Sequence, residues 1–376
     1  MSNVPGTAAV PSPKSRIHGC LLGGALGDSL GYAVEFDSIA AIRSRFGPKG
    51  LQDFAALDGG SHFSDDTQMT LYTVDGLVEA LEWANAGVGA DANACVWLAY
   101  LRWLNTQGMS APDPAPRPQQ RWIDSQQVLR HRRAPGAACL SGLATGEMGT
   151  VHRPVNPDSK GCGTVMRSAP FGLIPHIPAE SVYKLSSDAA SLTHGHPSAR
   201  QSAGVFSLLI HSLVQGRGLL EAAQLAADHV RSDAEAVPEL RARLDAAIRW
   251  AGEAAAQGSE TRALLAPEDL VRELGEGWVA EEALAVGLYA VLATASGGPT
   301  APGGQAAAPA PAEHFKAAIA VAINHSGDSD STGSIAGNIL GAYYGEACLP
   351  ADWLEALEAP EVIRGMADQL VAVTTA

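Results

Sequence analysis

Basic residues are scarce in this sequence: 25 Lys and Arg stand against 40 Asp and Glu, a formal net charge of −15. Neutralising nucleic-acid phosphates takes a basic face, and an anionic membrane surface attracts Lys and Arg clusters, so this balance disfavours both partners. Charged residues make up only 17% and hydrophobic ones 46%, which excludes disorder for most of the chain. No run reaches the roughly 18 consecutive apolar residues of a membrane span. The five cysteines, Cys20, Cys95, Cys139, Cys162 and Cys348, are widely spaced and odd in number. That pattern is neither a disulfide framework nor a zinc site, and it predicts free thiols in a reducing, cytoplasmic setting. Residues 1–14 are rich in Pro, Ser, Gly and Ala and lack the apolar core of a secretory signal, so they are expected to form a disordered tail. Residues 15–376 are then one domain.

Alternating strand-type runs are also rare, whereas helical spacing recurs. Leu71, Val74, Val78 and Leu81 share one face of a predicted helix, as do Val205, Leu208, Leu209 and Leu213. With abundant Ala and only 6% aromatics, the expectation is an all-α, single compact multi-helix domain. Breaks at residues 111–118, 152–160 and 295–312 read as surface loops, the last a low-complexity, flexible segment.

Glycine, by contrast, is plentiful. Gly19, Gly23, Gly27 and Gly31 recur at every fourth position, as do Gly333, Gly337, Gly341 and Gly345. Each set would bare one face of a helix, at about 1 kcal/mol per Gly relative to Ala. Close backbone approach of two buried helices is the compensation we expect. A phosphate-binding glycine loop is excluded, since neither stripe has the terminal lysine or the strand-turn context.

Two acidic boxes lie next to predicted helix starts: Ser64-Asp65-Asp66-Thr67 and Gly327-Asp328-Ser329-Asp330-Ser331-Thr332. Taken alone, either is explained by helix capping. The second, however, sits between apolar residues 321–323 and a helix that reads as buried, where unpaired carboxylates are costly. Lys316 is the one basic residue near it in sequence. Aspartates with hydroxyl neighbours form a hard oxygen set suited to Mg²⁺ or Mn²⁺, able to support two ions about 3.5 to 4 Å apart.

Together with Gly27-Asp28-Ser29-Leu30-Gly31-Tyr32-Ala33-Val34-Glu35-Phe36, these boxes resemble, in the same order, the three signatures of the ADP-ribosylglycohydrolases. The resemblance implies an all-α fold with a di-metal cleft holding two Mg²⁺ or Mn²⁺. It implies Ser64, Asp65, Asp66, Asp328, Asp330 and Ser331 as metal ligands. Glu35 matches a glutamate that sits at the metals and moves when substrate enters. Gly161, Cys162, Gly163 and Thr164 are similar to the family loop that holds the pyrophosphate and distal ribose, with Cys162 where Asn is usual. His194 matches a histidine lining the ADP-ribose cleft.

The residue-level alternatives are plain ones: Arg167 a structural salt-bridge partner, His196 a cap or turn terminator before Pro197, Gly161 and Gly163 turn residues. The implied reaction is hydrolysis at ribose C1, releasing ADP-ribose from an ADP-ribosylated protein or small molecule, with Asp65 or Asp330 as base and Glu35 positioning substrate or acting as acid/base. A silent ADP-ribose-binding or structural protein on the same fold, and a two-metal phosphohydrolase, are the competing classes. Acceptor choice is expected to lie in residues 111–129 or 133–140. A monomer is expected.

Overall fold

Gly19, Gly23 and Gly27 explain the centre of the molecule. In the computed structural model, which describes residues 10–60, 62–256, 264–295 and 309–375, they lie on α1 (Pro13–Tyr32). Against them runs α14 (Ser329–Tyr344), and these two make the most extensive helix pair of the fold. A methyl carbon built on Gly19, Gly23 or Gly333 would lie 2.5 Å from the carbonyl oxygen of Gly341, Gly337 or Gly27, and one on Gly27, Gly337 or Gly341 closer still to the facing backbone. No side chain fits at these positions. Asn338 Nδ2 donates to Cys20 O across the same seam (2.8 Å), and the buried Arg16 guanidinium donates to the last carbonyls of α14, Ala342 O (2.6 Å) and Tyr343 O (2.9 Å). A cation there also complements the negative end of the helix. Gly345 departs from the predicted stripe: it is the C-cap of α14, at φ 72°, where a left-handed backbone favours glycine.

The other helices wrap this pair. They are α2 (Ile39–Phe46), α3 (Asp65–Asn85), α4 (Ala92–Thr106), α5 (Ala137–Ala144), α6 (Ala169–Gly172), α7 (Ala179–Ala190), α8 (Pro197–Val214) and α9 (Leu219–Ser232). After them come α10 (Pro238–Ala256), α11 (Pro267–Leu274), α12 (Ala280–Thr294), α13 (Pro311–Ile323), α15 (Ala351–Ala356) and α16 (Pro360–Thr374). The described residues contain no strand, only an isolated antiparallel bridge between Gly161 and Val279. The all-α expectation and the single core hold: Leu71, Val74 and Val78 of α3 and Val205, Leu208, Leu209 and Leu213 of α8 are buried as their spacing predicts. α12 and α13 cover α14, and α3 and α16 pack on α1.

The N-terminal boundary differs slightly from expectation. Ser12 caps α1, accepting from Ser15 N (3.1 Å), and Pro13 occupies its first turn, so Pro13 and Lys14 are helical. Residues 1–9 of the expected tail lie outside the described residues, as does 296–308 of the expected loop; α13 begins at Pro311. Residues 111–118 and 152–160 are loops. The second is partly buried, because Asn156 is docked by three Nδ2 bonds, to Ala138 O, Ser141 Oγ and Thr193 O. No helix among the described residues is long and apolar enough to cross a membrane.

Candidate functional site

Three helix ends meet at one point. The start of α3 brings Asp65 and Asp66, the start of α14 brings Asp328, Asp330 and Ser331, and the turn after α1 brings Glu35. All six line a cleft of about 330 Å³ together with Gly161, Cys162, Gly163, Met166, His194, Ser159 and residues 134–138. Phe36 and Trp278 stand on its lining as a stacked, exposed pair, ring centroids 6.2 Å apart.

The α3 start is held from outside its own helix. The first backbone donors of a helix have no intrahelical partner, and here each is satisfied. Asp65 N donates to Arg133 O (3.3 Å), and Asp66 N to the capping Ser64 Oγ (3.2 Å). Ser64 N and Thr67 N both donate to Asp28, at 2.9 and 3.0 Å, with the Thr67 hydroxyl bound there as well. Asp28, fully buried on α1, thus caps α3 from a neighbouring helix and sets the direction of Asp65 and Asp66. Sequence reading quoted Asp28 only as part of a motif and missed this role.

The α14 start is fixed as firmly. Gly327 has φ 149°, and any Cβ there would collide with Glu276 backbone. Asp328 N donates to Glu276 O (2.9 Å). Ser326 Oγ accepts from Ile39 N (2.9 Å), and Asn324 brackets Leu51, accepting from its N and donating to its O. The acidic loop and the stretch following Glu35 are therefore stitched together.

The result is a buried set of carboxyl groups with no cation of the protein's own: among the described residues, no Lys or Arg forms an ion pair with Asp28, Glu35, Asp65, Asp66, Asp328 or Asp330. Arg133, near Phe63, is paired with Glu358, and Lys316 is paired with Asp53 and Asp352. Burial first, and repulsion from Asp330 second, push Asp28 up to about 7 and Glu35 up to about 10. The same two causes hold Asp65, Asp66 and Asp328 well above the usual carboxylate range. Asp66 Oδ2 and Glu35 Oε2 are buried without any hydrogen-bond partner. Carboxylate oxygens of Glu35, Asp328 and Asp330 lie within 4.8 Å of one another. Unpartnered buried oxygens, clustered and lacking a counter-charge, fit hard divalent cations.

Not every predicted residue reaches the cleft. Ser64 caps α3 and is not part of the cleft lining; Thr164 is buried with its hydroxyl donating to Ala199 O (3.0 Å), and it too is absent from the lining. Cys162 does line it, its Sγ 2.7 Å from Asp328 Oδ2, where the thiol donates to the carboxylate. Burial, and then the charge of Asp328, raise that thiol well above its ordinary range. The reading of Arg167 as a salt-bridge partner is corrected. Its partners are Thr193 Oγ1, two sulfurs (Met69 Sδ and Cys139 Sγ) and the face of Tyr100, and among the described residues none of its partners is acidic. His196 caps α8, its Nδ1 accepting from Ser198 N (3.1 Å), as the plainer alternative had it. Of the two expected specificity loops, 133–140 contributes Ala134 through Ala138 to the cleft and 111–129 contributes nothing. Phe36, Met166, Ser159 and Trp278 were not singled out from sequence, because an exposed aromatic or a loop serine carries no spacing signal.

The fold and the site together define an all-α protein with a buried acidic cluster at three converging helix ends. The model of the ADP-ribosylglycohydrolase family matches residues 9–376, and the chain belongs to that family. It is 26% identical to ADP-ribosylhydrolase ARH3 of Bos taurus, over 97% of this chain and 94% of that protein. It is 23% identical to the ADP-ribosyl-[dinitrogen reductase] glycohydrolase of Rhodospirillum rubrum, over 96% and 98%. Among solved structures, a chain of an ADP-ribosylglycohydrolase-related protein complex has the same fold, with TM-score 0.62, 23% identity and coverage of 96% of this chain and 99% of that one.

Proposed function

We propose that this chain is a divalent-metal-dependent hydrolase that releases ADP-ribose from an ADP-ribosylated acceptor by cleaving the glycosidic bond at ribose C1. One observation carries the reading: carboxyl groups of Glu35, Asp66, Asp328 and Asp330 with no cationic partner among the described residues, two of them (Glu35 and Asp66) with an unpartnered oxygen, line the same cleft as Gly161, Gly163 and His194. The first group suits cations, and the second offers neutral donors to an anionic ligand.

Asp65, Asp66, Asp328, Asp330 and Ser331 would hold two Mg²⁺ or Mn²⁺, with Ser64 beside them at the α3 cap. Bound divalent ions supply Lewis acidity toward ribose hydroxyls and toward a water. The chain's own residues do the rest. Asp65 or Asp330 takes the water's proton, and the unpartnered Glu35 Oε2 positions the ribose or exchanges a proton with the leaving group. Gly161, Cys162 and Gly163, with His194, hold the phosphate-bearing part. Ala134 through Ala138 face the acceptor. The five free cysteines fit a reducing, cytoplasmic setting, and we assign a monomer.

The test is incubation of the protein with arginine-, serine- and acetyl-ester-linked ADP-ribose, with Mg²⁺, with Mn²⁺ and after chelation, identifying products by mass. Free ADP-ribose that depends on the ion supports the reading. AMP with ribose phosphate would mean a phosphohydrolase, and tight binding without product a silent binder. Asp66→Asn and Asp330→Asn should each abolish turnover and ion dependence together while leaving helical content unchanged.

A further inference from the structure

Arg167 is buried, 2% exposed, yet carries no acidic partner among the described residues. What it does touch is Thr193 Oγ1, to which its Nη2 donates at 2.6 Å. Thr193 is fully buried, and its Oγ1 also lies 2.8 Å from His194 Nδ1. A guanidinium has donors only, so Thr193 Oγ1 accepts from it. The hydroxyl's own hydrogen is then left to find an acceptor, and in the described chain the one within reach is His194 Nδ1. The opposite arrangement, Nδ1–H donating to Thr193, would give Oγ1 two donors and strand a buried hydroxyl hydrogen, which is the costlier state.

We infer that Arg167 and Thr193 are positioning residues that lock His194 in the Nε2–H tautomer, so that the ring donates a hydrogen bond into the cleft, to an oxygen of the phosphate-bearing ligand. The donation half rests on the ligand reading given under Proposed function; the tautomer half does not. Nε2 has no hydrogen-bond partner in the described chain, and it lies 3.3 Å from where a Cβ on Gly161 or Gly163 would stand. The ring therefore presses on the glycine loop that lines the cleft beside it. Arg167 is itself immobilised: its guanidinium stacks 4.4 Å over the Tyr100 ring, and the Tyr100 hydroxyl is bound to Thr73 Oγ1 (2.7 Å). Burial, then the charge of Arg167, lower the His194 imidazole to about 3, so the ring stays neutral at physiological pH. A neutral ring has one donor nitrogen, and the relay decides which.

Two-bond ¹⁵N–¹H correlation spectra of the full chain labelled at histidine test this directly, with the His194 signals assigned by their loss in His194→Gln. The free protein should show the Nε2–H tautomer, and ADP-ribose should shift its Nε2 resonance. Thr193→Val removes both halves of the relay and should give a mixed tautomer and at least about tenfold weaker ADP-ribose binding. Thr193→Ser should restore both, which a purely structural role for Thr193 does not require of the tautomer. An Nδ1–H tautomer in the free wild-type protein overturns the relay, with no variant needed. An Nε2 signal indifferent to bound ADP-ribose overturns the donation. If ADP-ribose fails to bind the wild-type protein at all, the ligand reading and the donation fall together, while the tautomer still decides the relay.

Discussion

Asp28 illustrates how a single side chain can govern a site without lining it. Its two oxygens accept the orphan donors of α3, Ser64 N and Thr67 N, and the Thr67 hydroxyl, so its exchange for an amide would turn an N–H toward an N–H. Asp28→Asn is expected to keep the fold, and to weaken Mn²⁺ binding about 10- to 100-fold, the usual effect of a group that orients ligands; titration followed by electron paramagnetic resonance reads this. The same residue, with Glu35, sets the pH response. Folded-state values raised to about 7 and about 10 mean that the metal-free fold binds more protons than the unfolded chain above the ordinary carboxylate value of about 4. That stabilisation is complete at low pH and is lost as pH rises through the raised values. Carboxylates with lowered values, Asp53, Glu358 and Asp368, act in the opposite sense, but at pH below their ordinary value. The buried histidines with lowered values, His194, His211 and His325, also act in the opposite sense, but only below the ordinary imidazole value of about 6.5. From pH 7 to 8, therefore, the Tm of chelated protein should fall, and the increase in Tm on adding Mg²⁺ or Mn²⁺ should grow, because the ions displace fewer protons at higher pH. A chelated protein that gains stability toward pH 8 would count against this account. Asp28 could not be read from sequence: its partners are mostly backbone N–H groups 36 and 39 positions away, and backbone donors have no residue signature. Arg167 was misread for a similar reason, since sulfur, hydroxyl and ring-face partners leave no charge pattern to match. Asp65, Asp66, Asp328 and Asp330 were legible because adjacent or alternate acids among apolar neighbours are costly without a purpose, and Glu35 only through the family resemblance.

At the scale of elements, the contact of α1 with α14 depends on the absence of side chains. Gly27→Ala and Gly337→Ala each place a methyl group inside the facing helix's backbone, where no rotamer change gives relief. The two helices must part, and we expect a loss of about 3 kcal/mol or more and a clearly lower Tm by circular dichroism. Gly89→Ala, which meets open space, should leave Tm unchanged. An undisturbed Gly27→Ala protein would mean that the seam is looser than described. The period of four was visible in sequence and foretold this pairing, because close approach is the one inexpensive reason for so many glycines in buried helices. It overreached at Gly345, where the same period continues past the helix into a cap that needs a positive φ. The apolar spacing of α3 and α8 was legible for the usual reason, that burial enforces it.

For the molecule as a whole, the net charge of −15 is partly concentrated inside. On the function proposed above, a protein that keeps its acids buried at one point, with its arginines committed elsewhere, would depend on ions for compactness as well as for chemistry. Removing the ions should lower Tm more than it lowers helical content, since the helix ends repel while their bodies stay packed. The turn bearing Glu35 registers this state. It leaves α1 at Tyr32, next to Gly31, where an added Cβ would run into Ser329 and Asp330 backbone, and it enters α2 at Ile39, whose N–H is held by Ser326 Oγ. Both of its moorings thus belong to one acidic segment, 326–330. Whatever tightens that segment shortens the slack at both ends at once, so the turn behaves as a tether whose tension follows occupancy of the cleft. Amide hydrogen exchange across residues 33–38 should accordingly slow on adding Mg²⁺, and Ser326→Ala, which casts off one mooring, should abolish most of that slowing without altering the carboxylates themselves.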